Sequence, residues 1–519
     1  MHYLIGIDVG TQSLRACVFR QDGVKVTEWV EEFRTTYPAP RQAEQNPDDW
    51  WNAAVKALTN IAQILGNDVE KIVGLSYACT SCTAVVLDEQ AHPLRPALMW
   101  MDERALQEAE HITQTNSPVL KYSGGVVSPE WMLPKIAWLL RHERESVERA
   151  YRIVEQTDYF TFRLTGQWTL SYQNLVAKWN YANPVGGWPP GFLEAAGVAG
   201  VRDKWPEKIL PVAAKVGLLR PELAEQVGLP KDIVVAQGGI DSHAGMIGLS
   251  VIEPGELGVV MGTSTVLMGQ ADRPIFADVW GPYPDANIPG TYTIGGGQTT
   301  TGSVIQWLVS NFTQLEDGNL APLLDRLEHE ASSVPPGSNG LVALEYFQGN
   351  RNPIKDPKAR GALWGMTLWH TFPEILRAFY EGIAFGTRHI LENLEEHGFE
   401  IRRVAVGGGN ARSDLMVQIL ADVCGLRLHR TKEPHNTALG AAIWAGLGAG
   451  VFRDYKEAVE SMVRLQSPVE PELCNKAVYD FYFDKYLRTY SQLKELMHEV
   501  VDFEEARLRR STGQATRPT

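Results

Sequence analysis

Asp241 lies within Gly238-Gly-Ile-Asp-Ser-His-Ala-Gly-Met-Ile-Gly248, a carboxylate framed by glycines. Glycine lets the backbone turn and lets a ligand approach where a side chain would block it, so this carboxylate has the setting of a general base. The alternative is an Asx turn or a helix N-cap, since Asp ahead of a small-residue helix is a common cap. On this stretch alone the cap is the commoner outcome. A second carboxylate, Asp8, follows the strand expected at Tyr3-Leu-Ile-Gly-Ile7. After it, Gly10, Thr11, Gln12 and Ser13 offer N–H groups and hydroxyls to a phosphate, while Asp8 could hold Mg²⁺ directly or through water. A decorated hairpin turn is the plainer reading. The same device recurs in Gly258-Val-Val-Met-Gly-Thr-Ser-Thr-Val-Leu-Met-Gly269, where Gly262, Thr263, Ser264 and Thr265 separate two strands. Two such hairpins, about half a chain apart, suggest a duplicated architecture with phosphate-touching turns facing each other across a cleft.

The elements that must position these groups are readable in outline. The start is a β-meander, with further strands over 14–19 and 24–33 around the Asp22-Gly23 turn. An amphipathic helix is expected over 45–64 and a strand over 71–77, ending in Ala78-Cys-Thr-Ser-Cys-Thr83. A lone C-x-x-C with no second Cys or His pair nearby reads as a small-residue loop able to face a polar ligand rather than as a zinc site. Ser128-Pro-Glu-Trp-Met-Leu-Pro-Lys135 leads into a helix over 136–143, and Trp131 ahead of it is a core anchor or a stacking wall for a sugar. Lys178, among apolar neighbours, calls for an anionic or polar partner. Ile294-Gly-Gly-Gly-Gln-Thr-Thr-Thr-Gly302 feeds a helix over 303–312, and Val404-Ala-Val-Gly-Gly-Gly-Asn410 precedes one over 413–423. The second glycine run would let a flat ring lie on the backbone, or serve as a tight turn. Ala438-Leu-Gly-Ala-Ala-Ile-Trp-Ala-Gly446 is a small-residue helix suited to close packing on a sheet or its symmetry mate, and the tail after Glu504 is expected to fray.

The chain has 519 residues, 44% hydrophobic and 21% charged, with a net charge of −14, as expected of a soluble protein of two or three domains. The acidic balance argues against nucleic acid and anionic membrane as partners. Five scattered cysteines suit a reducing cytoplasm, and no apolar run reaches the roughly 18 residues needed to span a bilayer.

Taken together, Gly6-Ile-Asp-Val-Gly-Thr-Gln-Ser13, Gly239-Ile-Asp-Ser-His-Ala-Gly245, Gly262-Thr-Ser-Thr265, Gly361-Ala-Leu-Trp-Gly-Met366 running to Ala378 and Glu381, and Gly407-Gly-Gly-Asn-Ala-Arg-Ser413 resemble the FGGY carbohydrate kinases over residues 3 to about 450. The resemblance implies an α/β fold of two actin-like, ribonuclease H-like (ASKHA) domains closing on ATP and a sugar. It makes Asp241 the base on the sugar hydroxyl and Asp8 the Mg²⁺ residue. Gly10 to Ser13 and Gly262, Thr263 and Ser264 would cradle phosphates, with Gly302 and Gln306 nearby; Gly408, Gly409 and Ser413 would hold the adenosine. The implied division is 1–252 (sugar, Mg²⁺ and catalytic Asp), 253–450 (ATP) and a helical extension over 451–519. A homodimer is one assembly it allows.

Within the family the segments Thr80-Ser-Cys-Thr83, Ser128-Pro-Glu-Trp131, Lys178-Trp-Asn-Tyr181 and Gly349-Asn-Arg351 are most similar to those of ribulokinases. That implies Thr80, Ser81, Trp131, Lys178 and Asp241 on the sugar side. Ribulokinases usually carry an acidic residue where this chain has Gly295. Expected acceptors are therefore a ribulose-like ketopentose first, then xylulose, a pentitol or tetritol, or glycerol. From another class, the fold also serves actin-like and heat-shock-chaperone ATPases, which lack Asp241 in its glycine frame.

Overall fold

The opening meander forms from Tyr3–Val9, Ser13–Arg20 and Lys25–Glu32, paired antiparallel in sequence order. The computed structural model describes residues 1–313 and 320–511. They fall in two compact units, both discontinuous in sequence: Met1–Gly258, Met268–Gly295 and Thr431–Gln466 in the first, and Val259–Leu267 with the described residues of 296–430 and 467–511 in the second.

The first unit is built on a seven-stranded sheet in the order Lys215–Leu218, Val234–Ala236, Ile72–Cys79, Tyr3–Val9, Ser13–Arg20, Lys25–Glu32, with Gly239–Ile240 also paired to Ile72–Cys79. Tyr3–Val9 is buried on both faces, as its nearly unbroken apolar run requires. Ile5, Ile7 and Val9 join Trp50, Ala54, Leu58 and Ile61 of the helix Pro47–Leu65 on one side. Leu4, Cys17 and Phe19 meet the helix Asn436–Gly448 on the other. The period-2 alternation of the strand thus divides its side chains between two helical layers.

Asn436–Gly448 explains why Thr431–Gln466 packs with the first unit and not with the segments around it in sequence. A Cβ on Gly6 would fall 1.9 Å from the Ala438 carbonyl oxygen, and one on Gly440 would fall 1.9 Å from that of Ala244. The small residues read from the sequence let this helix lie against the strand and against the helix Asp241–Gly248 at backbone distance. The contact units therefore do not follow the linear boundaries expected near residues 252 and 450.

Two expected limits shift. The helix after Trp131 starts at Met132, not 136, because Pro134 falls in its first turn, where the missing N–H costs no hydrogen bond. The final helix Lys476–Ser511 continues past Glu504, where fraying was expected, and Arg507–Glu504 is one of its ion pairs. Residues 512–519 of that expected tail lie outside the described residues. In the second unit the long helix Phe372–Glu396 opens on a capping box between Thr371 and Glu374, and Arg403–Gly407 pairs in parallel with Leu428–Arg430. No described helix is long and apolar enough to cross a membrane.

Candidate functional site

Asp8 and Asp241 come together because the strands before them run in parallel. Asp8 and Gly239 both align with Ala78 of the strand Ile72–Cys79, and Ile240 aligns with Cys79, so both carboxylates leave the sheet at its C-terminal edge. Ligands bind at that edge in open α/β sheets. Asp241 is the first residue of its helix; the N-cap is Ile240, which has no side chain to cap with. Its carboxylate accepts the Ser242 N–H of the helix's own first turn at 2.6 Å. Burial pushes the Asp241 carboxyl up to about 6, with the Ser242 N–H and the Lys178 charge pulling it back. Burial, and then the Asp241 charge, pushes Asp8 up to about 7, against the pull of Arg15 across the hairpin. Two such carboxylates suit a hard divalent cation such as Mg²⁺. Among the described residues no group of three or more His, Cys, Asp or Glu is placed to hold a metal.

The helix Tyr172–Lys178 ends in Lys178, whose ammonium lies 5.7 Å from the Trp131 ring centre and 5.6 Å from that of Trp280. The sequence called for an anionic or polar partner; two indole faces supply one by cation–π attraction. Trp280 is directly opposite Gly295 in the ladder, at the position where ribulokinases usually carry an acid. Trp131 is 4% exposed and part of the core, as expected of a core anchor. The Thr80 hydroxyl is buried and bonded to Gln156 Oε1 at 2.8 Å and to Thr83, whereas Ser81 beside it is half-buried. Burial raises the thiols of Cys79 and Cys82, Cys82 to about 11, which opposes thiolate chemistry in the C-x-x-C.

Sequence reasoning missed the residues that hold these groups in place. Gln173 accepts the Ile240 N–H at 2.7 Å through Oε1 and donates to the Ala286 carbonyl at 3.0 Å, fixing the approach to Asp241. A Cβ on Gly239 would sit 2.2 Å from that Oε1, which explains a glycine of the frame. Glu155 accepts from the Cys82 N–H, Asn174 and Trp179 at 2.6–2.7 Å and so ties the Thr80–Cys82 turn to the Lys178 segment. The one local signal for it was the capping box that Glu155 forms with Asp158.

The two glycine turns each close on an N–H to carbonyl bond, three residues on in one and two in the other. Gly10 N–H donates to the Ser13 carbonyl at 2.9 Å in the first unit, and Gly262 N–H to the Ser264 carbonyl at 2.8 Å in the second. In the first turn the Thr11 hydroxyl accepts from Trp100 and Gln12 is exposed. Within the second unit three expected segments form one cluster. Gly302 opens the helix Gly302–Phe312, and its N–H meets the Gly262 carbonyl at 3.1 Å, as does the Asn410 amide at 2.8 Å. The N–H groups of Gly302, Ser303, Val304 and Ile305 all meet protein carbonyls, and Gln306 is exposed one turn on. Gly408 has φ +89 and presses on Met261, while nothing lies within 4 Å of a Cβ built on Gly409, so the backbone there is open to a flat ring. Ser413 accepts the Met416 N–H as a helix cap. Glu381 accepts from Gly337, Ser338 and Arg377 and is structural.

The family description "FGGY family of carbohydrate kinases, N-terminal domain" matches residues 3–248, and its C-terminal counterpart matches 257–449. An FGGY carbohydrate kinase domain-containing protein of Xenopus laevis is 33% identical, over 95% of this chain and 97% of its own. A ribulokinase of Geobacillus thermodenitrificans is 28% identical over 94% of each. The crystal structure of a xylulose kinase from Rhodospirillum rubrum, 24% identical, superposes with a TM-score of 0.84 over 96% of this chain and 100% of that one. That likeness is one of fold, the two-domain ASKHA-like α/β architecture.

Proposed function

The chain belongs to the FGGY family of carbohydrate kinases, and on that premise we propose that this ATP-dependent phosphotransferase acts on a terminal hydroxyl of a ribulose-like ketopentose. The observation that carries the reading is Asp241: a framed carboxylate at the strand ends, with one N–H bond, beside Lys178 and its two indoles. Phosphoryl transfer asks mainly for alignment and charge neutralisation, so the protein needs donors for phosphate and one carboxylate to orient the acceptor. In this reading Asp241 accepts the proton of the acceptor hydroxyl, while Lys178 and Trp131 hold the sugar. The turns at Gly10–Ser13 and Gly262–Ser264 bind phosphates, with Gly302 and Gln306 nearby, and Gly408 and Gly409 give the adenosine its floor. Asp8 would hold Mg²⁺ directly or through water, and the ion would supply charge neutralisation on the phosphates.

Gly295 favours a second acceptor. Without an acid there, one sugar hydrogen bond expected of a ribulokinase is absent, which leaves xylulose as the alternative. The test of the central role is Asp241→Asn. It is expected to leave ATP binding intact and to lower kcat by roughly 10²–10⁴; a variant that kept most of its turnover would remove the base. Comparing kcat/KM across L-ribulose, D-ribulose, D-xylulose, pentitols, tetritols and glycerol then ranks the acceptors.

A further inference from the structure

His243 follows Asp241 by two residues on the same helix, and Tyr283 stands on the strand Trp280–Pro284. They are 3% and 2% exposed, and their ring centres lie 6.3 Å apart with the planes tilted by 37°. Neither nitrogen of His243, nor the Tyr283 hydroxyl, has a hydrogen-bond partner among the described residues. Buried polar atoms are nearly always satisfied, so several unsatisfied together next to the acceptor residues call for a ligand. A neutral imidazole offers one donor and one acceptor, and a phenol can donate and accept. Such groups complement an alcohol, which also donates and accepts, and offer no charge to a carboxylate or a phosphate.

We propose that His243 and Tyr283 are specificity-determining residues that hydrogen-bond a hydroxyl of the bound polyol other than the one phosphorylated. The inference rests on the kinase reading. It adds a contact from the helix of the base itself, so that the hydroxyl read by His243 is held in register with the one facing Asp241. Tyr283 completes the contact from the strand that also brings Trp280 to Lys178.

The experiment is steady-state kinetics on the full chain with Mg²⁺-ATP and D-ribulose or D-xylulose, comparing Tyr283→Phe, His243→Leu and His243→Gln. Tyr283→Phe keeps the ring and is expected to raise the sugar KM roughly 5- to 30-fold, with the ATP KM within about twofold. Its Tm should not fall, because the lost hydroxyl has no protein partner. His243→Leu should act similarly, His243→Gln should recover part of the loss, and the double variant should cost less than the product of the two single effects. A Tyr283→Phe enzyme with the sugar KM of the wild type would overturn the proposal; joined to a lower Tm, that result would assign the hydroxyl to a structural water. A wild type that forms no ADP from these sugars, ribitol, erythritol or glycerol would remove the kinase reading and this inference with it. Wild-type turnover with unmoved KM values removes this inference alone.

Discussion

Asp241 and Asp8 carry charge where burial opposes it, and the sign of that cost is testable. Both carboxyls are raised above their ordinary value of 3.8, to about 6 and about 7. The stability each contributes is full below its unfolded pKa and is lost as pH rises through the folded one. Asp241→Asn removes the opposed charge, so its Tm should exceed that of the wild type by roughly 2–5 °C at pH 8 and by less at pH 5, read by thermal unfolding without ligands. An equal or lower Tm at pH 8 would mean that the carboxylate is well accommodated. A base must be ionised to act, so kcat should rise through about pH 6 and level off above it, and the residual activity of the Asn variant should lack that limb. Lys178→Met should raise the sugar KM roughly tenfold or more while leaving the ATP KM nearly unchanged; an equal effect on both would place Lys178 outside the sugar site.

Among the elements, two glycines separate packing from binding. Gly440→Ala drives a Cβ onto the backbone of Ala244 at 1.9 Å, with no flexible side chain to yield, so the Tm should fall by several degrees, about 5 °C or more. A Cβ on Gly409 meets no protein atom within 4 Å, so Gly409→Ala should leave the Tm unchanged while weakening ATP binding, as measured by nucleotide titration. If ATP binding were untouched, the adenosine would not lie there. The contrast also marks what the sequence could disclose. Asp241 in its glycines, the two hairpins and the small-residue helix were legible because each is a local pattern. Gln173, Glu155 and Trp280 were not, since their partners lie far along the chain and only pairing of the strands brings them near. Lys178 demanded compensation for its charge, but composition cannot tell a carboxylate from two indole faces. The small residues of Asn436–Gly448 foretold close packing without naming the sheet it would join.

For the molecule as a whole, the choice lies between a kinase and an actin-like or chaperone-like ATPase, which would couple nucleotide state to a partner and turn over without a polyol. Membership of the carbohydrate kinase family, and the Asp241 carboxylate near Lys178 with its Trp131 face, favour the kinase. Exclusion of water until the acceptor is bound is what such an enzyme needs, because water would otherwise compete for the phosphoryl group. The most direct measurement is ADP release by the wild type with and without a ketopentose, with the sugar product analysed in parallel. The account requires ADP to form in step with a phosphorylated sugar, at a rate orders of magnitude above that without sugar. Equal ATP turnover with and without the sugar, and no sugar phosphate formed, would contradict it.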